Sequence, residues 1–398
     1  MVVGRGLCGS SVGMLSTAIP VYQAEMSIPS IRGRLVSLYQ WAITWGILLA
    51  FWGSYGFRNV EGDASWRIPL GLQAIPAAML MIWMSFLPYS PRWLVDHYRT
   101  SEAHAVLAYL RANGSLTDVL VIEELHEIMM AVKLERDTSM HGYGELVKKP
   151  IRRRLIIGIG IQLLQQLTGI NIIMYYAPVF FQWLSFTVND EPFVAQGVVG
   201  IVNMLATIPT IIWVDKWGRR PIIILGSALC GLFMILFAVS IATESIDFNR
   251  VHLDDVEASK SLSHNLRNLA LASIYLFIAS FAFSWGVMGW LLPSEIFPMH
   301  MRSKANSITA ASNWILNFAL DFATPFTLCN YPSAIIIVVG GIMVVSAVML
   351  YLIFPETKNR SLEDMELLFT GSLLAFRKPK VIEMGSQYSD RSLSYPKL

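Results

Sequence analysis

Charge is scarce in this chain. Asp, Glu, Lys and Arg make up only 15% of its 398 residues and hydrophobic residues 54%, whereas a soluble domain carries about 25% charged residues. That balance argues against an ordinary solvated surface and for a lipid solvent. Net charge is +2, and no basic stripe interleaves with aromatics, so no nucleic-acid partner is expected. Cysteine is also rare: Cys8, Cys230 and Cys329 stand far apart, in or beside apolar stretches, without a CxxC or a Cys/His cluster. Neither a disulfide framework nor a metal site follows from them. No nucleophile–base pairing or phosphate-binding loop is present, and GRGLCG lies inside an apolar span rather than after a strand. His97, His104, His126 and His141 fall in one polar segment, where solvated histidines are ordinary. No enzyme and no cofactor are expected. Arg5 is not followed by a separate apolar core and cleavage site, so no cleavable leader is read.

What the chain has in abundance is apolar length. A helix crossing a bilayer needs about 20 apolar residues. Nine candidate spans meet this, roughly 1–22, 36–57, 68–88, 154–183, 194–214, 221–242, 268–292, 305–329 and 333–354. An all-α membrane protein is therefore expected, arranged as a three-span group (1–88), a polar helical linker (89–153), a six-span bundle (154–355) and a tail (356–398). Within the linker, EAHAVLAYLRANG and VIEELHEIMMAVKLERD read as amphipathic helices suited to lying along a membrane face. Lys and Arg are unevenly shared between the two sides. Segments 23–35, 89–154, 215–220, 298–304 and the tail hold 24 of the 30. By the positive-inside rule that side is cytoplasmic, which places the C-terminus inside. Twelve Trp and fourteen Tyr suit a chain with two membrane–water interfaces.

Polar side chains inside apolar spans are costly unless they meet a partner or face water, so each is a functional candidate. The fourth span contains QLLQQLTGINIIMYY. Gln162, Gln165 and Gln166 share a helix face, Asn171 is turned about a third of the way round, and Gly169 permits close approach or a local break. Asn203, Trp290, Asn313 and Asn317 add polar and aromatic groups from three other spans. Amides donate and accept without carrying charge, as a polyhydroxylated neutral ligand requires, and an indole can cover the apolar face of a sugar ring. The competing reading is that these amides only bond one helix to the next.

The residues that settle the resemblance are co-linear motifs: VGRGLCGSSVG (3–13), PVYQAEMSIPSIRGRLVSLYQ (20–40), SPRWL (90–94), QQLTGIN (165–171), DKWGRR (215–220), WLLPSEIFP (290–298) and PETKNRSLED (355–364). Together they resemble the sugar porter family of the major facilitator superfamily, and FSWGVMGWLLPSEIFPMHMRSKA is similar to its fungal members. The resemblance implies the major facilitator fold, with substrate held between two bundles and released by rocking. It also implies a small sugar as partner, with protons as a second, and a bilayer around the protein. Carried over, the sugar contacts are Gln40, Gln165, Gln166, Asn171, Asn203, Trp290 and Asn313. The coupling and gating residues are Arg5, Glu25, Arg32, Arg34, Arg92, Asp215, Arg219, Arg220, Glu295, Arg302 and Glu356.

Several departures carry expectations. Tyr89 stands where the family usually has Glu, which removes a carboxylate from the first-half network. Val287 stands where many members have Pro, so a softened kink is expected there. Met1 falls at the start of what resembles the fourth helix, so helices one to three are missing, Arg5 lacks the carboxylate partner of proton-coupled members, and an N-terminally truncated form is expected. The expected function is transport of a hexose-like monosaccharide across a plasma membrane. A sugar sensor and an inactive fragment are the alternatives. The particular sugar, uniport versus symport and the oligomeric state are not written in these residues.

Overall fold

The computed structural model describes residues 2–28, 30–137, 143–148, 151–184, 191–242 and 264–358. Every regular element among them is helical, as lipid demands of single segments that must satisfy their own peptide groups. The first group comprises α1 (Val2–Met26), α2 (Arg32–Phe57) and a third span built from α3 (Ala64–Leu72) and α4 (Ala74–Met84). The third span is interrupted at Gln73, where Pro76 has no N–H to give the Leu72 carbonyl.

The linker holds α5 (Pro91–Asp96), α6 (Thr100–Ala112) and α7 (Val119–Asp137). Asn113 ends α6 in the left-handed region, and Gly114 follows with its N–H on the Ala108 carbonyl at 2.9 Å, a glycine-assisted stop. The two expected amphipathic helices exist, and they turn part of their apolar residues onto each other and onto α5. Leu94, Leu107, Val121 and Ile128 form that small core.

The second group contains α8 (Ile151–Leu167), α9 (Ile170–Trp183), α10 (Glu191–Trp217), α11 (Arg219–Ala242), α12 (His264–Phe283), α13 (Trp285–Ile296), α14 (Met299–Asn330) and α15 (Pro332–Ile353). Eight helices, some joined across a break, are long and apolar enough to cross a membrane. The ninth expected span, 305–329, lies within α14, whose 32 residues suffice in length. Asn306, Asn313, Asn317 and Asp321 make it more polar than the rest. Close helix contacts rest on glycine: a Cβ on Gly231 of α11 would stand 2.9 Å from the Gly340 carbonyl of α15. The main core draws almost wholly on α8 to α15, with only Ala24 and Val36 from the first group.

Close to Val287 the helix is interrupted. The chain breaks between α12 and α13 at Ser284 (φ −125°, ψ −83°) without any proline there. The Ser284 hydroxyl donates to the Ser280 carbonyl at 2.6 Å, and Gly226 opposite leaves the room, since a Cβ there would lie 1.9 Å from Ser284 Oγ. A serine bonded into the ladder and a facing glycine replace the ring that forces kinks elsewhere. The groups meet where α2 packs on α10 and α1 on α14; at Gly197 of α10 a Cβ would stand 2.5 Å from the Trp52 ring. Most of the expected tail, residues 359–398, and the loop with Arg250 and Lys260 lie outside the described residues.

Candidate functional site

The amide stripe folds into one hydrogen-bonded cluster. Gln162, Gln165, Gln166 and Asn313 are buried. Asn313 Nδ2 donates to Gln162 Oε1 at 2.6 Å and to Gln165 Oε1 at 2.9 Å, and its Oδ1 accepts from Gln166 Nε2 at 2.8 Å. Gln165 Nε2 donates to the Trp285 carbonyl at 3.0 Å, beside the break in α12–α13. Asn171 joins because the helix itself breaks. Gly169 takes φ +78° between α8 and α9, while Thr168 Oγ1 donates to the Gln165 carbonyl at 2.7 Å and accepts from the Ile170 N–H at 3.3 Å. An unbroken helix would turn Asn171 away. The break returns its Nδ2 to Gln166 Oε1 at 2.7 Å.

This cluster is neutral and its amides already satisfy one another, so a ligand must offer both donors and acceptors to exchange with them. Asn317 Nδ2 stands 3.4 Å from Gln166 Oε1, a long contact that a hydroxyl can replace. The structure seats Gln40 against Gly286, where a Cβ would be 3.2 Å from Gln40 Nε2. Trp290 meets Tyr39 of the first group edge to face at 5.9 Å. Asn203 is buried on α10, and its Oδ1 has no donor among the described residues; the cluster does not extend to it through any hydrogen bond described.

A second assembly is ionic and lies at the opposite end of these helices. Arg219 opens α11, with Nη2 at 3.0 Å from Asp215 Oδ1 and 2.9 Å from Glu295 Oε1, all three side chains nearly fully buried. Glu356 caps the same helix, accepting the N–H groups of Arg219 (2.9 Å) and Arg220 (3.1 Å). Such N–H groups have no partner within the helix, and the dipole favours a carboxylate there. Gly218 must be glycine: its φ is +92° and a Cβ would lie 2.5 Å from Glu356 Oε2. The same device joins the two groups of helices. Asp215 Oδ2 accepts the N–H of Arg34, in the first turn of α2, at 3.0 Å, and a Cβ on Gly33 would stand 2.3 Å from Asp215 Oδ1. A second link runs from Glu25 to Arg302 at 3.8 Å, with Ser90 Oγ donating to Glu25 at 2.6 Å. Thr357 Oγ1 donates to the other oxygen of Glu295 at 3.1 Å.

Of the eleven charged residues expected here, Glu25, Arg34, Asp215, Arg219, Arg220, Glu295, Arg302 and Glu356 come together through these contacts. Arg32 is buried at the start of α2 and Arg92 half-buried at the start of α5. Arg5 is brought to neither assembly: it is exposed on α1, about 30 Å from Glu25 at 1.5 Å per residue. Tyr89, in place of the family's Glu, stacks on Trp93 at 4.5 Å with the Arg99 guanidinium 5.6 Å from its ring, so an aromatic ladder takes the position of the family's carboxylate. Sequence reasoning did not pick out Asn306, Ser16, Ser90 or Thr357. Asn306 was within reach, since seven residues before Asn313 is the same face of α14.

Comparison with known proteins gives one consistent result. The family model described as "Sugar (and other) transporter" matches residues 1–369. A high-affinity glucose transporter of Kluyveromyces lactis is 36% identical over 96% of this chain and 70% of its own length. The MFS glucose transporter mfs1 of Aspergillus flavus is 37% identical over 95% of the chain and 73% of its own. Among solved structures, the proton:xylose symporter XylE bound to 6-bromo-6-deoxy-D-glucose superposes with a TM-score of 0.75 at 28% identity, covering 90% of this chain and 71% of that one. The inward-open form of XylE from E. coli gives 0.58 at 29% identity over 88% and 68%.

Proposed function

The chain belongs to the sugar transporter family of the major facilitator superfamily, and from that premise we propose that it carries a hexose-like monosaccharide by alternating access, with Gln40, Gln165, Gln166, Asn171, Asn203, Trp290 and Asn313 as its contacts. It is an integral membrane transporter, not an enzyme. The observation that carries the substrate reading is the buried, uncharged amide cluster closed by Asn313. A charged substrate would sit there without a counter-charge, which is expensive in a desolvated site. A polyol can trade hydroxyl groups for the amide contacts one by one.

The ionic assembly is the gate of this reading. Two links cross between the helix groups, Arg34 N–H to Asp215 and Glu25 to Arg302, and the bundles cannot separate at that end while both hold. Breaking them opens that side, as one group rocks on the other. With 24 of 30 Lys and Arg on the same side, the gate end is cytoplasmic and the C-terminus inside. Plasma-membrane residence suits relatives named as glucose transporters, and proton coupling is the property named for XylE. Arg5 is the coupling candidate.

The test is uptake of labelled glucose by the purified chain in liposomes. Saturable uptake, competed by unlabelled hexose and lost in Gln165→Ala, is expected; flux that never saturates overturns the proposal. A second reading, sugar sensing, is raised by a 33% identical relative named High glucose sensor RGT2. Hexose binding without any flux would favour it.

A further inference from the structure

One polar cleft adjoins the amide cluster, shares Gln162 with it, and extends beyond it to α1 and the first half of α14. Ser16 and Thr17 of α1, Gln162 of α8, Trp290 of α13, and Asn306 and Thr309 of α14 line it. Asn306 is only 6% exposed, and its Oδ1 has no donor among the described residues. A buried acceptor without a donor is destabilising and rare in folded proteins, so its retention asks for a partner from outside the chain. The hydroxyls around it do not supply one. Ser16 Oγ donates to the Gly13 carbonyl at 2.9 Å, Thr17 Oγ1 to the Met14 carbonyl at 2.8 Å, and Thr309 Oγ1 to the Asn306 carbonyl at 3.0 Å. With those protons engaged, the N–H groups of the lining are the Trp290 indole and the Gln162 and Asn306 amides, Asn306 Oδ1 receives none of them, and no ionised side chain lines the cleft. Its complement is a neutral molecule whose hydroxyl groups can donate to Asn306 Oδ1 and accept from those N–H groups.

Its position gives that molecule a route. Asn306 precedes Asn313 by two helical turns, about 10 Å along α14. Arg302, in the gate, lies one turn beyond, about 6 Å further. The cleft therefore stands between the amide cluster and the gate, and in this closed arrangement it has room for about one water. The geometry points to a second sugar subsite, filled only when the gate opens, in which a sugar hydroxyl donates to Asn306 Oδ1. This rests on the amide cluster being the central sugar site. It makes the affinity felt from the gate side depend on a residue that sugar arriving from the opposite side does not meet first.

The experiment is sugar exchange in liposomes holding the chain in one orientation, with labelled glucose titrated at each face in turn. Asn306→Leu keeps the volume and removes the acceptor. One neutral hydrogen bond predicts about a fivefold rise in half-saturation at the gate face, with the other face unchanged. Equal rises at both faces, or none at either, overturn the subsite. Where N306L fails to accumulate, N306A, which adds no bulk, is read the same way. Gln166→Leu separates the two readings. If Q166L raises half-saturation at both faces and N306L at neither, the subsite fails alone; if Q166L changes nothing, or the wild-type chain shows no saturable exchange, the central site fails and the subsite with it.

Discussion

The third span of the first group and the seventh of the chain are both long and apolar enough to cross a membrane and differ in what surrounds them. In Ala64–Met84 none of the most apolar stretch is buried, whereas in Asn265–Ile296 67% is. Hydropathy reports the solvent a helix tolerates and not the neighbours it has. The second group, α8 to α15, closes on itself, with glycines at its crossings and ion pairs inside it. The first group presents Leu7, Met14, Ile75 and Trp83 outward and adds two side chains to the shared core. Specific folding information is thus concentrated in α8 to α15, and the first group is held to it by the packing of α2 on α10 and of α1 on α14 and by polar links at one end.

The largest test of that contrast is Arg219→Leu, which leaves Asp215 and Glu295 buried without their shared cation. Removing one partner of a buried pair costs about 3–5 kcal/mol. Cys230 is fully buried and Cys8 exposed, so thermal unfolding can be followed by labelling Cys230 in a Cys8→Ser, Cys329→Ser background. Arg219→Leu is expected to lower that midpoint sharply. Arg67→Leu, breaking the exposed pair with Asp63, is expected to leave it in place. Equal effects would mean that burial does not separate the two groups.

Glycine gives the next test. A side chain at Gly226 collides with Ser284, while one at Gly13 meets nothing within 4 Å. Gly226→Val should destabilise by about 1–3 kcal/mol, as overpacked cores do, in the Cys230 assay. Gly13→Val should accumulate and unfold as the parent does. A smaller effect, on affinity alone, is expected from Gln166→Leu, which unties Asn171 and Asn313. About a tenfold rise in half-saturation, or 1.4 kcal/mol, is its expected outcome in the uptake assay, against no change for Ser11→Ala on the exposed face of α1.

These sites show what was legible in the chain and what was not. The spans and the amide stripe were readable because composition and periodicity are local. The charged motifs were readable because their spacing is fixed by the helix ends they cap; Gly33 and Gly218 each stand where a carboxylate from another segment meets a helix N-terminus. Asn171 looked misplaced because a helical wheel assumes a continuous helix, and the left-handed Gly169 breaks it. The break at Ser284 was missed because its cause is shared between two helices, a hydroxyl on α12–α13 and the space at Gly226. No single stretch of sequence holds both. The outward face of the first group was equally illegible, because burial depends on neighbours and apolar composition does not.

The smallest expected effect marks the other boundary of the comparison. Arg99 and Glu102, at the start of α6, form a bidentate pair with contacts of 2.7 and 2.6 Å, geometrically as good as Arg219 with Glu295. Both side chains face water. The Arg99 hydrogen bonds hold the Glu102 carboxyl below its ordinary value of 4.5. A depressed carboxylate stabilises the fold above its unfolded pKa and loses that contribution as pH falls through the folded value. The pair is therefore fully formed at neutral pH, and any loss belongs below pH 4.5. Water and salt screen it throughout. Glu102→Gln is accordingly expected to leave the unfolding midpoint, read by intrinsic tryptophan fluorescence at neutral pH, unchanged at low and at high salt. A drop approaching that of Arg219→Leu would show that bidentate geometry, and not burial, sets the strength of these pairs, and the distinction between the interior of α8 to α15 and the exposed remainder would have to be drawn on other grounds.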